Sequence, residues 1–301
     1  MIQTNEYLIQ QILEDKLSKR KVKEKILAEV DVDSEIVISM VNAIDSLRTG
    51  SYHHSKNIRY IDLQKSSIEI ALDLIAIVLP IDQVAQIQEV TSKLGNTLGY
   101  PNLLDGIKTA AEIIAVCEGE LYTLVHSQDI ENTTGTLELV PNYGLKEETK
   151  KLIDRAMYLP PMLCRPVPWM NNINGGHLLG SGSVLLGHIN KHKQPQALDV
   201  INILQDIQWS LNTEVLEFAE ESKKALDTIE KAKQFGAMRK ISEEVYRGLL
   251  QAGNKFYFVW KYDFRGRLYS QGYHCNPQGT EYKKAILNFT KQTEITDEVF
   301  V

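Results

Sequence analysis

One stretch of the sequence carries most of the information about the fold: Lys261-Tyr262-Asp263-Phe264-Arg265-Gly266-Arg267-Leu268-Tyr269, with Asn276-Pro277-Gln278-Gly279 shortly after it. Aromatic and β-branched residues on both sides predict two strands joined by an Asp-x-x-Gly-Arg turn. Gly266 permits positive φ, and Arg267 presents a planar fork of donors that suits phosphate oxygens. Asp263 can hold that arginine in one rotamer. Taken alone, however, the pattern is more typical of an ordinary hairpin turn with a structural ion pair.

The sequence before this turn changes character twice. Residues 159–196 are dense in proline and glycine, including Pro166-Val167-Pro168-Trp169 and Gly175-Gly176. Such a long segment without periodicity, inside a compact chain, usually has a functional or pinned structure. Apolar spacing then predicts a long helical region over 197–252, with a break near Gly236.

The first part of the chain is predicted to be mostly helical. Apolar residues recur at helical spacing, and one such pattern predicts a helix over 103–116. Another helix is predicted to begin at a cap formed by Ser34 and to end at Gly50. Residues 120–126 and 136–140 are rich in β-forming residues and flank a polar turn, which predicts a β-hairpin. The fold class is therefore mostly α, with a β-hairpin and a partial sheet.

Composition and charge limit the class of protein. Three widely spaced cysteines argue against a disulfide scaffold, and the absence of a long apolar run or a secretion signal predicts a soluble intracellular protein. The net charge is −6, yet residues 223–267 contain eleven Lys/Arg and five Asp/Glu. An acidic body with one basic segment can bind a polyanion locally, although a solvated helix face explains the same charges.

Four blocks, in the same order, resemble the single-subunit DNA-directed RNA polymerases of the phage and mitochondrial type. The Asp-x-x-Gly-Arg turn with its Asn-Pro-Gln-Gly resembles the region that opens the family's palm. Residues 166–176 resemble the family's proline-tryptophan and glycine-rich stretch. Residues 201–212 resemble the helix that begins its thumb, and residues 128–143 resemble the second half of its intercalating hairpin. The resemblance covers roughly residues 120–301.

This resemblance implies a domain organisation and a set of nucleic-acid contacts. It implies an N-terminal domain over 1–196 with a strand-separating hairpin near 120–140, a thumb over 197–252, and the first part of the palm over 253–301. Template and RNA–DNA hybrid are then expected to contact nine residues. These are Asp263, Arg265, Gly266, Arg267, Lys284, Lys231, Lys233, Arg239 and Lys240.

The resemblance also implies which parts of the enzyme are elsewhere. Nucleotidyl transfer in this family uses two Mg²⁺ ions held by paired aspartates, and no His-Asp-Asp occurs in this chain. We therefore expect a second polymerase subunit that carries the catalytic aspartates, the rest of the palm and the fingers. The transferase would be a heterodimer in the cytoplasm of a phage-infected bacterium, and this chain alone would be inactive.

Other interpretations of the sequence stay open at this point. A non-catalytic, nucleic-acid-binding transcription accessory protein could share the same blocks. His53-His54 with His126, and His188 with His192, could belong to a metal site, but structural or solvated histidines explain them better. Trp169 and Trp209 are most simply core anchors.

Overall fold

The computed structural model describes residues 5–31, 34–127, 135–180, 182–187, 196–222 and 224–291. The predicted hairpin tip, His188, His192 and the last ten residues of the predicted palm segment lie outside these ranges. The helices are α1 (Asn5–Lys16), α2 (Lys19–Leu27), α3 (Glu35–Thr49), α4 (His54–Ile61), α5 (Ser67–Val78), α6 (Ile87–Thr97), α7 (Leu103–Val116), α8 (Glu147–Met157), α9 (Leu198–Gln205), α10 (Ile229–Gln251) and α11 (Glu281–Ala285). The strands are β1 (Ala85–Gln86), β2 (Tyr122–Ser127), β3 (Thr136–Pro141), β4 (Trp209–Leu211), β5 (Val259–Tyr262), β6 (Leu268–Gln271) and β7 (Leu287–Phe289), and a 3₁₀ helix spans Val215–Glu217.

The chain divides into two compact units. One is Lys19–Ile153, and the other combines Met1–Ser18 with Asp154–Val301. We call them the helical unit and the turn unit, since the Asp-x-x-Gly-Arg turn belongs to the second. The fold is helix-rich with small antiparallel sheets, as the sequence predicted. Within the described ranges, every helix is too short or too polar to span a lipid bilayer.

The helical unit is built around the contact between α6 and α7. Gly95 and Gly106 allow the two backbones to meet, because a Cβ added at Gly106 would lie 2.6 Å from the carbonyl oxygen of Gly95. Tyr122 is fully buried at the edge of this core, where its hydroxyl donates a hydrogen bond to the carbonyl of Ile114 at 2.6 Å. Close packing at the glycines and this buried hydrogen bond therefore both stabilise the unit.

A buried carboxylate adds an ionic element to the helical unit. Asp73 of α5 accepts hydrogen bonds from the ammonium groups of Lys23 and Lys65. Desolvation alone would raise the pKa of Asp73, but the hydrogen bonds from the two lysines outweigh it and lower the pKa. The ionised form of Asp73 is therefore part of the folded state.

Several predicted elements of the helical unit are confirmed. Helix α7 has the predicted bounds, and β2 and β3 form the predicted antiparallel hairpin, with Leu124 opposite Leu139. Helix α3 begins after Ser34 and ends before Gly50, as predicted. The Ser34 side chain nevertheless makes no capping hydrogen bond, so the residue was identified correctly but not its mechanism.

The proline-rich segment of the turn unit is pinned by one tryptophan. Trp169 is buried, and its backbone N–H and indole N–H donate hydrogen bonds to the side-chain oxygens of Asn202 at 2.8 Å and Gln205 at 3.0 Å. Gly175 and Gly176 pack against the indole, where an added Cβ would lie within 3 Å of Trp169 atoms. The prediction that Trp169 is a core anchor is therefore confirmed.

The predicted long helical region was only partly right. Helix α9 ends at Gln205, and the chain then forms β4, which pairs with β7 in a two-stranded antiparallel sheet. Helix α10 begins after Thr228, whose hydroxyl accepts a hydrogen bond from the N–H of Lys231. The predicted break near Gly236 is wrong, because α10 runs through that residue without interruption. A single glycine costs a helix only about 1 kcal/mol, which neighbouring turns can absorb.

Candidate nucleic-acid interface

The Asp-x-x-Gly-Arg sequence forms a tight turn between β5 and β6. The two strands pair antiparallel, and Tyr262 opposes Leu268 at the end of the ladder. The N–H of Gly266 donates to the carbonyl of Asp263 at 3.0 Å, and the N–H of Asp263 donates to the carbonyl of Arg267 at 2.9 Å. Gly266 has φ +78°, in the left-handed region that glycine adopts without strain. The predicted role of Gly266 in the turn is therefore confirmed.

Asp263 organises the turn through its carboxylate. It accepts hydrogen bonds from the backbone N–H groups of Arg265 and Arg267, both at 2.9 Å, and from Nε of Arg267 at 2.7 Å. A second guanidinium nitrogen of Arg267 lies 2.6 Å from the same carboxylate. Partial desolvation would raise the pKa of Asp263, but these hydrogen bonds outweigh it and lower the pKa to about 2. Asp263 is thus ionised, and Arg267 is held in one orientation.

The two arginines of the turn present their charges to solvent. The side chains of Arg265 and Arg267 are 57% and 52% exposed. The guanidinium of Arg265 lies 5.2 Å from the ring centroid of Phe264, and that of Arg267 lies 5.5 Å from that of Tyr269. Aromatic faces and a carboxylate therefore limit the orientations of both cations while leaving N–H donors accessible.

The Asn-Pro-Gln-Gly sequence supports this turn from the side of β6. The amide of Gln278 accepts a hydrogen bond from the N–H of Ser270 at 2.9 Å and donates one to the carbonyl of Leu268 at 2.8 Å. Asn276 accepts from the Ser270 hydroxyl at 2.6 Å and from the N–H of Gln278 at 2.7 Å. The side-chain amide thus occupies the outer edge of β6 as a neighbouring strand would. Sequence reasoning did not identify this structural role.

The outer edge of β5 is also occupied. The N–H of Leu186 donates to the carbonyl of Tyr262 at 2.7 Å, and the N–H of Tyr262 donates to the carbonyl of Val184 at 2.8 Å. Next to this contact, the Lys261 ammonium lies 6.0 Å from the Trp169 ring centroid and has no ion pair with any described residue. Burial lowers the pKa of Lys261. This half-buried cation was missed, although its position two residues before Asp263 was a usable signal.

Helix α10 separates the four basic residues predicted on it into two groups. Lys233 and Lys240 are exposed and seven residues apart, so they lie on one face of the helix, together with Arg247 another seven residues on. Sequence reasoning did not single out Arg247. This face, which we call the basic face, is opposite the buried residues Ser242, Tyr246 and Leu249.

The other two predicted residues of α10 have acidic partners. Lys231 forms an ion pair with Asp227 at 2.7 Å, and Nε of Arg239 lies 3.4 Å from the carboxylate of Glu243. Neither residue is on the basic face. The structure therefore brings Lys233 and Lys240 together and leaves Lys231 and Arg239 apart from them.

Lys284 is exposed on α11, whereas the neighbouring Lys283 is buried. The ammonium of Lys283 donates to the carbonyl of Tyr273 at 2.6 Å and lies 4.2 Å from the centre of its ring. Lys283 is therefore structural, and Lys284 is the lysine of this pair that a ligand can reach.

Among the residues that the structure describes, no three His, Cys, Asp or Glu side chains are grouped so that they could hold a metal ion.

Comparison with known proteins gives three relevant similarities. The chain is 26% identical over 167 residues to a "Probable DNA-directed RNA polymerase" of Gelasinospora sp. (strain G114), covering 51% of this chain and 20% of that protein. It is 24% identical over 241 residues to a protein of the same description from Podospora anserina, covering 61% of this chain and 25% of the relative. It is 25% identical over 215 residues to the T7 RNA polymerase of Escherichia phage T7, covering 54% of this chain and 24% of that polymerase.

These similarities agree with the sequence resemblance at a coarse level. The chain has weak homology, over about half its length, to single-subunit RNA polymerases of the phage and mitochondrial type. The matched part spans a quarter or less of the length of those relatives. No protein-family model matches the sequence.

Proposed function

We propose that this chain is the nucleic-acid-holding part of a phage-type, DNA-directed RNA polymerase, and that a partner chain supplies the catalytic aspartates. The observation that carries the proposal is the Asp263–Arg267 pair on an exposed turn, in a chain homologous to DNA-directed RNA polymerases. Homology to these enzymes supports a role in transcription, and with it the binding of DNA and RNA.

The turn is suited to phosphate because its arginine is already oriented. Asp263 fixes one edge of the Arg267 guanidinium through two close contacts, so binding a phosphate at the remaining donors costs little side-chain entropy. Arg265 adds a second exposed cation two residues away. Contacts of this kind position a backbone without reading its sequence, as a template–RNA hybrid requires.

The basic face of α10 provides a second, longer contact. Lys233, Lys240 and Arg247 are separated by seven residues each, which is about 10 Å per step along a helix axis. The proposed thumb, residues 197–252, would place these charges along the product duplex. Lys231 and Arg239 are less suited to this role, since each has an acidic partner. Lys284, exposed on α11, remains part of the proposed contact set.

The catalytic metal site is proposed to lie outside this chain. The described residues offer no group of ligands for the two Mg²⁺ ions that the polymerase resemblance implies. Residues 1–196 and 253–301 would then be the N-terminal domain, with its strand-separating hairpin, and the first part of the palm. The partner would contribute the remaining palm and the fingers, in the cytoplasm of an infected bacterium.

The sheet of β4 and β7 has a strand edge suited to such a partner. Both outer edges of the β5–β6 hairpin are occupied within this chain, so this hairpin offers no free edge. Among the described residues, β7 pairs only with β4, and Phe289 on it is 54% exposed. An open strand edge beside an exposed aromatic side chain is a typical site of β-strand addition.

Hybrid binding tests the proposed interface directly. Fluorescence anisotropy of a labelled RNA–DNA hybrid is measured for the wild-type chain and for Arg267→Ala at several salt concentrations. We expect weaker binding and a smaller salt slope, by about one unit, because one phosphate contact is lost. Lys93→Ala is the matched control, because Lys93 is an exposed, ion-paired cation on α6 of the helical unit.

Two results would contradict the proposal. Equal loss of affinity in Arg267→Ala and Lys93→Ala would mean that binding follows net charge and not the turn. RNA synthesis by the purified chain without any partner would contradict the proposed division of catalytic labour. Hybrid binding without activity in the presence of every candidate partner would instead favour a non-catalytic accessory protein.

A further inference from the structure

The turn unit contains a cavity beside the proposed interface, and its lining includes Arg247 of the basic face. Its volume is about 380 Å³, and it lies between residues 216–220, helix α10 and Tyr282 of α11. This size is within the range of small-molecule sites. We call it the Glu220 cavity.

Glu220 is the unusual residue of this cavity. It is only 6% exposed, yet its carboxylate makes no hydrogen bond or ion pair with any described residue, and its buried Oε2 has no partner. Burial raises the pKa of Glu220, although the positive charges of Lys283 and Arg239 oppose that effect. A buried carboxylate without a donor is costly, so a donor supplied by a ligand would stabilise it substantially.

Arg239 provides the complementary half of the site. Its Nε is buried and makes no hydrogen bond, because the nearby Glu243 carboxylate, at 3.4 Å, is poorly aligned with it. Arg239 and Glu220 both line the cavity, but they do not form an ion pair with each other. The cavity thus presents a carboxylate oxygen without a hydrogen bond, and apart from it an arginine whose ion pair with Glu243 leaves its Nε–H without one.

The cavity walls supply aromatic surface beside these two polar groups. Tyr246, Tyr282 and Phe218 all line it, and the Tyr282 hydroxyl is used in a hydrogen bond to the Phe218 carbonyl at 3.0 Å. Rings of this kind favour a flat ligand with its own π-face. A ligand here therefore needs a planar ring, with donors toward Glu220 and an acceptor toward Arg239.

We propose that the Glu220 cavity binds a guanine base. Guanine presents N1–H and an exocyclic amino group side by side, which match a carboxylate, and its O6 beside them accepts from an arginine. Adenine and cytosine lack the paired donors. The base could belong to a free nucleotide or to an unpaired residue of a strand. The proposal depends on the cavity alone and not on the proposed function.

Calorimetric titration of the full chain tests this proposal. The ligands are guanosine, adenosine, cytidine and uridine 5′-monophosphates, and short RNAs with or without one unpaired guanosine. We expect guanosine monophosphate to bind roughly 10- to 100-fold more tightly than the others, the range expected for hydrogen bonds to a charged group. Binding of the guanosine-containing RNA alone would also support the site and would assign the base to a strand.

Glu220→Gln and a second glutamate provide the controls. Glutamine has nearly the same shape as glutamate but presents an amide where guanine needs an acceptor pair, so we expect a roughly 10-fold or greater loss of guanine affinity. Glu217→Gln removes the same charge from the same cavity wall and should retain the guanine preference. Equal affinity for all four bases, or unchanged guanine binding by a folded Glu220→Gln variant, would overturn the proposal.

Discussion

Gln205 allows a sharp test of how the turn unit is held together. Gln205 is only 2% exposed. Its Oε1 accepts hydrogen bonds from the Trp169 indole at 3.0 Å and from the backbone N–H of Trp260 at 3.3 Å. Its Nε2 donates to the carbonyl of Val167 at 3.4 Å. Gln205→Met keeps the volume but removes all three bonds. Two buried donors then lack an acceptor, each at about 1–3 kcal/mol. Since two of the three bonds are long, we expect a total loss of about 2–4 kcal/mol.

Urea unfolding followed by tryptophan fluorescence measures this loss selectively. The three tryptophans, Trp169, Trp209 and Trp260, all belong to the turn unit, so the emission reports that unit alone. Gln251→Met is the matched control, because Gln251 is an exposed glutamine of the same unit and its replacement should change stability by less than about 0.5 kcal/mol. A Gln205→Met midpoint that coincides with the control would refute the reasoning.

Three further predictions concern the helical unit. Gly106→Ala should destabilise it by about 1–3 kcal/mol in thermal unfolding, because the new methyl group would meet the Gly95 carbonyl; an unchanged midpoint would contradict that contact. Tyr122→Phe removes the hydrogen bond to Ile114 and should cost about 1 kcal/mol in urea titrations followed by circular dichroism. The pKa of Asp73 is lower in the folded state than in the unfolded state, where it is about 4. Its contribution to the free energy of unfolding is therefore complete above about pH 4 and is lost as the pH falls toward the pKa of the folded state. Stability of the Asp73→Asn variant should therefore fall less steeply than wild type below about pH 4, and parallel pH profiles would exclude this role.

Local signals predicted the elements that local interactions form. Helix α7, the β2–β3 hairpin and the turn at Gly266 all follow from periodicity, strand composition or backbone freedom within a few residues. Trp169 was predicted as an anchor because a large aromatic side chain contributes most when it is buried in a core.

Contacts between distant residues decided what the sequence did not reveal. Strand β4 was predicted as helix because its partner β7 lies about eighty residues further on, and no local pattern indicates that pairing. The burial of Lys283 beside the exposed Lys284 has the same origin, since the Tyr273 carbonyl and ring hold Lys283 in place. The Glu220 cavity likewise depends on α10 and α11 meeting, which periodicity cannot show.

The amide of Gln278 has a consequence for how the molecule behaves at high concentration. Strands that expose a row of free peptide groups recruit copies of themselves, and proteins commonly prevent this with charges, prolines or bulges. Here one side chain occupies the donor of Ser270 and the acceptor of Leu268, which are the groups that a second molecule would use. The hairpin can therefore hold its arginines at the surface without becoming a seed for fibrils.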